Sequence, residues 1–323
     1  MKLLITGATG KVGTRLIAHL EAVLGMPRSA MRALCHTRSI AGIEAIHGTI
    51  ADRACVARAM EGVTHVIHMA TCKETPDDVM DVTVKGLFWM LEEFRQSKTA
   101  RQFILIGGDA AVGHFFYDHG APVTEQTPHM AYPGCYALSK VLEEVMLRQF
   151  VIQYGINACC LRAPWIMEKD DFKYSLSFGD DVFGGPRWKD LVAPDVAAAA
   201  ARDGTVPLLL DAKGRPLKRN FVHVDDLVDA IGKALGREDT AGRTYNICMN
   251  EAVDYGEVAA YLLATRGLKS IAIPSSYHSN WMDNAAAKFD LGWRPAVDLP
   301  QLIDRAYDHV RRPEEPRKIW YPG

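Results

Sequence analysis

The sequence lacks any run of about 18 uncharged apolar residues, so nothing in its 323 residues reads as a membrane-spanning helix. It lacks a C-x-x-C pair, and its seven cysteines are odd in number: Cys35, Cys55, Cys72, Cys135, Cys159, Cys160 and Cys248. That usage predicts reduced thiols in a cytoplasmic protein rather than a disulfide framework. No H-x-x-x-H or H-E-x-x-H spacing occurs among its eleven histidines, so no metal site is expected. An excess of one charge is also missing: 37 Lys and Arg stand against 39 Asp and Glu, a formal net of −2. A protein that binds nucleic acid by neutralising phosphates would be basic, so no nucleic-acid partner is expected. The start, Met1-Lys2-Leu3-Leu4-Ile5, has too few consecutive apolar residues for a secretory signal core. Repeats and low-complexity tracts are absent too.

What is present is ample core material, with 48% of residues apolar. The length allows one large domain or two joined ones. A short apolar run at 2–5 is followed by glycines, then by Val12, Leu16, Leu20, Val23 and Leu24 at helical spacing. Gly25 and Pro27 end that helix, and 31–35 reads as a second strand. The alternation continues with strands at 63–70, 102–106 and 157–161 and helices at 82–94 and 136–154. Residues 168–218 are rich in Gly, Pro and Asp, and 197–201 is an alanine run suited to a helix. A strand at 220–224, a helix at 226–235 and a strand at 244–248 follow; 251–323 reads as short helices and loops. The pattern predicts an α/β fold with a doubly wound parallel sheet and a smaller, less regular C-terminal lobe. The expected division is a cofactor domain over 1–165 plus about 220–248, and a substrate lobe over 166–219 and 249–323.

Gly7, Gly10 and Gly13 have G-x-x-G-x-x-G spacing between the first strand and the first helix. A strand must turn tightly there, and backbone must approach a pyrophosphate without Cβ atoms in the way. The helix N-terminus then offers free N–H groups to the phosphates. A NAD site usually carries an acid about 20 residues on, for the ribose 2′-hydroxyl. Here Leu34-Cys35-His36-Thr37-Arg38 has none. His36 and Arg38 suit a 2′-phosphate instead, which favours NADP over NAD.

Tyr136 and Lys140 stand at i and i+4 on one helix face. A phenol is a useful acid or base for interconverting alcohol and carbonyl, and a nearby ammonium favours its phenolate.

With these features the chain resembles the extended short-chain dehydrogenase/reductases, the NAD(P)-dependent epimerase/dehydratase family. The matching segments are Thr6-Gly7-Ala8-Thr9-Gly10-Lys11-Val12-Gly13, His68-Met69-Ala70, Tyr136 with Ser139-Lys140, Leu161-Arg162-Ala163-Pro164, Arg219-Asn220-Phe221-Val222-His223-Val224-Asp225-Asp226 and Leu291-Gly292-Trp293-Arg294-Pro295. The resemblance implies a Rossmann-type fold and hydride transfer at a hydroxyl or ketone carbon of a sugar-like substrate. It implies that Tyr136 exchanges a proton with the substrate and that Lys140 holds the nicotinamide ribose. Thr9, Lys11, Val12, Ile50, Met69, Ala70 and Pro164 join the glycines, His36 and Arg38 as cofactor residues. Thr71, Trp165, Arg219 and Trp281 are the substrate candidates, and a homodimer through the 136–154 helix is the expected assembly.

Some positions depart from the family pattern. Asp109 stands where the family usually has a Ser or Thr on the reacting oxygen, and is carried as a catalytic candidate. Ala110-Ala111 stand where dehydratases carry Asp-Glu, which argues against 4,6-dehydration. Thr83 replaces a helix Asn. Arg219 matches one of two arginines that hold a sugar nucleotide's diphosphate, and the second is missing; a free sugar, sugar acid or lactone is therefore expected. The departures at Asp109 and Thr83 also leave open a cofactor-binding sensor that has lost catalysis.

Overall fold

A computed structural model describes residues 1–315 and 317. Seven parallel strands form its central sheet: β1 (Leu3–Thr6), β2 (Met31–Cys35), β3 (Glu44–His47), β4 (His65–His68), β5 (Gln102–Gly108), β6 (Ala158–Ala163) and β7 (Thr244–Asn246), in the order β7-β6-β5-β4-β1-β2-β3. The inner strands are largely apolar, as in Leu3-Leu4-Ile5 and Phe103-Ile104-Leu105-Ile106, because both faces are covered. On β1, Leu3 and Ile5 enter one core with helices α1 (Lys11–Ala22) and α5 (Val224–Ala234), while Leu4 enters the other. That second core packs α2 (Arg53–Met60), α3 (Gly86–Gln96) and α4 (Cys135–Tyr154). The alternation is the two-residue period of a strand.

The structure adds β3 and α2, which the sequence reading passed over. It also shortens the 63–70 strand to four residues and starts α3 later. A π-helical segment, Val79–Lys85, leads into α3. There the Thr83 hydroxyl accepts a hydrogen bond from the Cys72 amide at 2.9 Å.

A separate apolar core gathers Phe172, Trp188, Leu217, Phe221, Tyr255, Leu262 and Ile303. Around it lie the helices Pro194–Asp203, Tyr255–Arg266 and Leu299–Asp308 and the parallel strand pair Val206–Leu210 and Ser270–Pro274. The region 251–323 therefore carries a twelve-residue helix and a paired strand where short helices and loops were expected. The two late sequence motifs meet in space. The Asp226 carboxylate accepts from the amides of Ala296 and Val297, and Trp293 Nε1 donates to the Asp226 carbonyl at 2.9 Å.

Candidate active site

Strand order reverses between β1 and β4, which opens a crevice at their C-terminal ends. Thr6 fastens this point: its hydroxyl oxygen accepts from the amides of Met69 and Ala70, both at 3.1 Å. Gly7 follows with φ of +70°, and a Cβ there would lie 3.0 Å from the Met69 backbone. A Cβ on Gly13 would lie 2.5 Å from the carbonyl oxygens of Gly7 and Ala8. Helix α1 starts with no side-chain cap and no acid in its first turn, so its free N–H groups face the crevice unmasked. A cradle that a side chain would fill, with an unfilled helix N-terminus, fits a dinucleotide pyrophosphate.

The crevice continues into a cleft of about 1720 Å³. That exceeds the roughly 300–1,000 Å³ of an ordinary ligand pocket and suits a dinucleotide with a substrate beside it. The cleft is lined by Gly7, Thr9, Gly10, Lys11, Val12, Gly13, His36, Arg38, Ile50, Met69, Ala70, Thr71, Asp109, Tyr136, Lys140, Pro164, Trp165 and Arg219. Of the residues expected at the site, only Trp281 stays out of the lining; its side chain is 48% exposed, and its backbone carbonyl accepts from Val123 instead.

Tyr136 sits in the first turn of α4. The Glu74 carboxylate accepts from the Cys135 amide at 3.1 Å, capping the helix start. The ring of Tyr136 has Lys73 Nζ 3.8 Å and Lys140 Nζ 5.5 Å from its centroid. Lys140 is buried and donates to Glu143 at 2.7 Å. Burial opposes its charge, but Glu143 and Tyr136 outweigh that and raise its pKa.

The substrate side is aromatic and charged. Arg219 is 6% exposed, and its guanidinium lies 4.0 Å from the Trp165 ring and 4.5 Å from the Phe115 ring. Its Nε donates to His114 Nε2 at 3.0 Å, and Nη1 donates to the Gly185 carbonyl at 3.3 Å. His114 Nδ1 in turn meets Asp109 Oδ2 at 2.5 Å. The sequence reading missed His114, Tyr132, Glu74, Lys73 and Glu143. His114 follows Gly113 with no periodic or motif signal, and its partner Arg219 is 105 residues away. Tyr132 lines the cleft, and burial pushes its phenol pKa well up. It therefore stays a neutral hydroxyl.

Comparisons with known proteins agree with this geometry. The model of the NAD dependent epimerase/dehydratase family matches residues 3–169. The dTDP-glucose 4,6-dehydratase of Mycobacterium tuberculosis is 25% identical over 263 residues, covering 76% of this chain and 72% of that protein. A short-chain dehydrogenase/reductase superfamily protein from Agrobacterium tumefaciens, solved with bound NAD, superposes with a TM-score of 0.79 at 21% identity, over 95% of this chain and 96% of that one. The UDP-glucuronic acid 4-epimerase of Bacillus cereus, solved with UDP-glucuronic acid and NAD, gives a TM-score of 0.72 at 17% identity, over 95% and 98%. At these identities the two structures establish a shared fold.

Proposed function

The chain belongs to the NAD dependent epimerase/dehydratase family, and from that premise we propose that it is an NAD(P)-dependent oxidoreductase or epimerase. Its substrate is a sugar or sugar-derived molecule, oxidised or reduced at a hydroxyl or ketone carbon. The observation that carries this reading is that Tyr136 and Lys140, one helical turn apart on α4, line the same cleft as the glycine cradle. A bound nicotinamide supplies the hydride acceptor or donor. Tyr136 takes or returns the substrate hydroxyl proton. Lys140 holds the nicotinamide ribose and keeps a positive charge beside the tyrosine. The glycine segment receives the pyrophosphate. Asp109, Thr71, Trp165 and Arg219 face the substrate, with segments 166–219 and 249–323 as its lobe.

The lean to NADP rests on Arg38 and His36 and on the missing acid in 34–38; the NAD complexes among similar structures weigh toward NAD. The case against 4,6-dehydration rests on Ala110 and Ala111, and the dehydratase relative weighs against it. A substrate screen by NAD(P)H absorbance should therefore span aldoses, aldonates, lactones and dTDP-glucose. A homodimer through α4 belongs to the same reading. Leu138, Val145 and Ile152 leave an apolar surface there, and light scattering measures the assembly.

General acid–base catalysis contributes roughly 10²–10⁴ in rate, so Tyr136→Phe should lower kcat by about that factor while cofactor affinity holds. Unchanged turnover in that variant would overturn the enzyme reading.

A further inference from the structure

Resting on the reading above, we propose that Asp109, His114 and Arg219 act as one unit that selects a neutral, hydroxyl-bearing substrate and rejects an anionic group at the reacting end of the cleft. His114 is the positioning residue of the unit. Asp109 is the group that meets the substrate.

The hydrogen bonds fix the chemistry. Arg219 Nε can only donate, so His114 Nε2 accepts and carries no proton. The single ring proton then sits on Nδ1 and is donated to Asp109 Oδ2. A neutral imidazole thus stands between a carboxylate and a guanidinium. Asp109 Oδ2 is occupied by His114, the carboxylate's one hydrogen-bond partner among the described residues. Asp109 lines the cleft along with Tyr136 and Lys140. A carboxylate accepts hydrogen bonds and cannot donate them. A substrate hydroxyl satisfies it, whereas a substrate carboxylate or phosphate brings like charge and no donor.

The unit is built rather than incidental. His114 holds a left-handed backbone with φ of +48°, a conformation uncommon outside glycine and associated with functional sites. The Asn280 side-chain amide grips the His114 carbonyl, Asn220 holds Asn280 at 2.7 Å, and the His278 amide donates to the Phe115 carbonyl at 2.8 Å. Arg219 is clasped between the Trp165 and Phe115 rings. Gly184 makes room for Trp165: its φ is +74°, and a Cβ there would lie 1.8 Å from the indole. Nε on His114 and Nη1 on Gly185 turn two of the guanidinium's five donors inward, which weakens it as a diphosphate clamp.

The test is calorimetric binding to the NADH-loaded protein, with D-galactose, D-galactonate and D-galacturonate as probes. Wild type should hold the neutral sugar at least about 10-fold more tightly than either carboxylate. Asp109→Asn should bring the three within about threefold, because an amide can donate as well as accept. His114→Leu removes the donor that orients Asp109 but not its charge, so it should narrow the preference by a smaller factor. His114→Asn, whose amide can still donate to Asp109, should restore most of the preference. A packing role for His114 would make those two variants alike, so likeness between them overturns the proposal. It is equally overturned if wild type holds the carboxylates as tightly as galactose, or binds none of the three. Melting temperature and NADH affinity report that each variant is folded. Tyr136→Phe separates the two readings, since it should lower kcat by the same factor of roughly 10²–10⁴ and leave the binding preference intact.

Discussion

Glu144 and Arg162, both buried, form one array with the solvent-edge His129, and Asp109, Arg219 and His114 form another from nearly the same side-chain types. In the first, Arg162 bites the carboxylate directly, with Nε at 2.9 Å from one oxygen and Nη2 at 2.7 Å from the other. His129 adds a third contact at 3.0 Å, and Asn246 and the Thr124 carbonyl take the remaining guanidinium donor. The Glu144 and Arg162 charges meet each other inside the fold. In the second, the histidine stands between arginine and carboxylate, and the carboxylate faces the cleft. The direct pair ties α4 to β6. The interposed pair leaves an acceptor for something else to use. Order of connection, not composition, separates the structural array from the candidate functional one.

Breaking the first array should have the largest effect. Arg162→Met leaves Glu144 buried without its main partner, which typically costs about 3–5 kcal/mol. Chemical denaturation should show that loss, and NADH affinity measured on the folded fraction should stay near wild type. Comparable stability in the variant would show that the bidentate pair does not hold α4 to the sheet.

Arg219→Gln should destabilise less, by about 1–3 kcal/mol. Asp109 and His114 keep each other as partners in that variant, so no buried carboxylate is stranded. Its larger consequence should appear in substrate preference. If Arg219→Gln unfolds the protein as readily as Arg162→Met does, the contrast between the arrays fails.

Acid should separate them further. Burial favours a protonated Glu144, but the bonds to Arg162 and His129 outweigh it and hold its pKa below the ordinary 4.5. A carboxyl depressed in the fold stabilises it above that ordinary value, and the contribution is lost as pH falls below about 4.5. Burial instead holds His114 below its ordinary 6.5, with Arg219 adding to the effect and Asp109 opposing it. The neutral form is favoured in the fold, so this contribution is present above about 6.5 and is lost as pH falls through the region below. His68, wholly buried, is held neutral with a pKa of about 3 and adds its own slope. The informative quantity is therefore the difference between each variant and wild type in melting temperature across about pH 4–8. His114→Asn should flatten the curve from about 6.5 downward; Arg162→Met should remove the Glu144 loss below about 4.5 and, with burial then unopposed by the guanidinium, cost stability as pH rises above it.

The same contrast explains what was legible in the sequence. The cofactor half could be read because each part is local. A strand, a glycine turn and an amphipathic helix follow one another within 22 residues, and Tyr136 and Lys140 are one helical turn apart. β3 was missed because it is a half-exposed edge strand of four residues with no strong apolar pattern. The substrate side was read poorly because its contacts are distant in sequence. His114 meets Arg219 across 105 residues and Asn280 across 166. Trp281 was carried as a substrate candidate, yet its backbone pairs with Val123 and it does not line the cleft. Arg219 lines the cleft, but no spacing rule could show that its Nε and Nη1 turn to His114 and Gly185.

A third arginine gives the smallest effect and the sharpest control. Arg38 is exposed and makes one side-chain hydrogen bond, from Nη2 to the Thr9 carbonyl at 3.3 Å. Removing it strands no buried group, so Arg38→Ala should change stability by no more than about 0.5 kcal/mol. It lines the cleft at the end of β2, where the second ribose of a dinucleotide would sit beside the glycine loop. A guanidinium there gains an ion pair only if the ribose carries a 2′-phosphate. Fluorescence titration should then show NADPH binding weakened by about 10-fold or more in Arg38→Ala, with NADH binding unchanged. Equal changes for the two cofactors would remove the case for NADP, because the one difference between them is the 2′-phosphate.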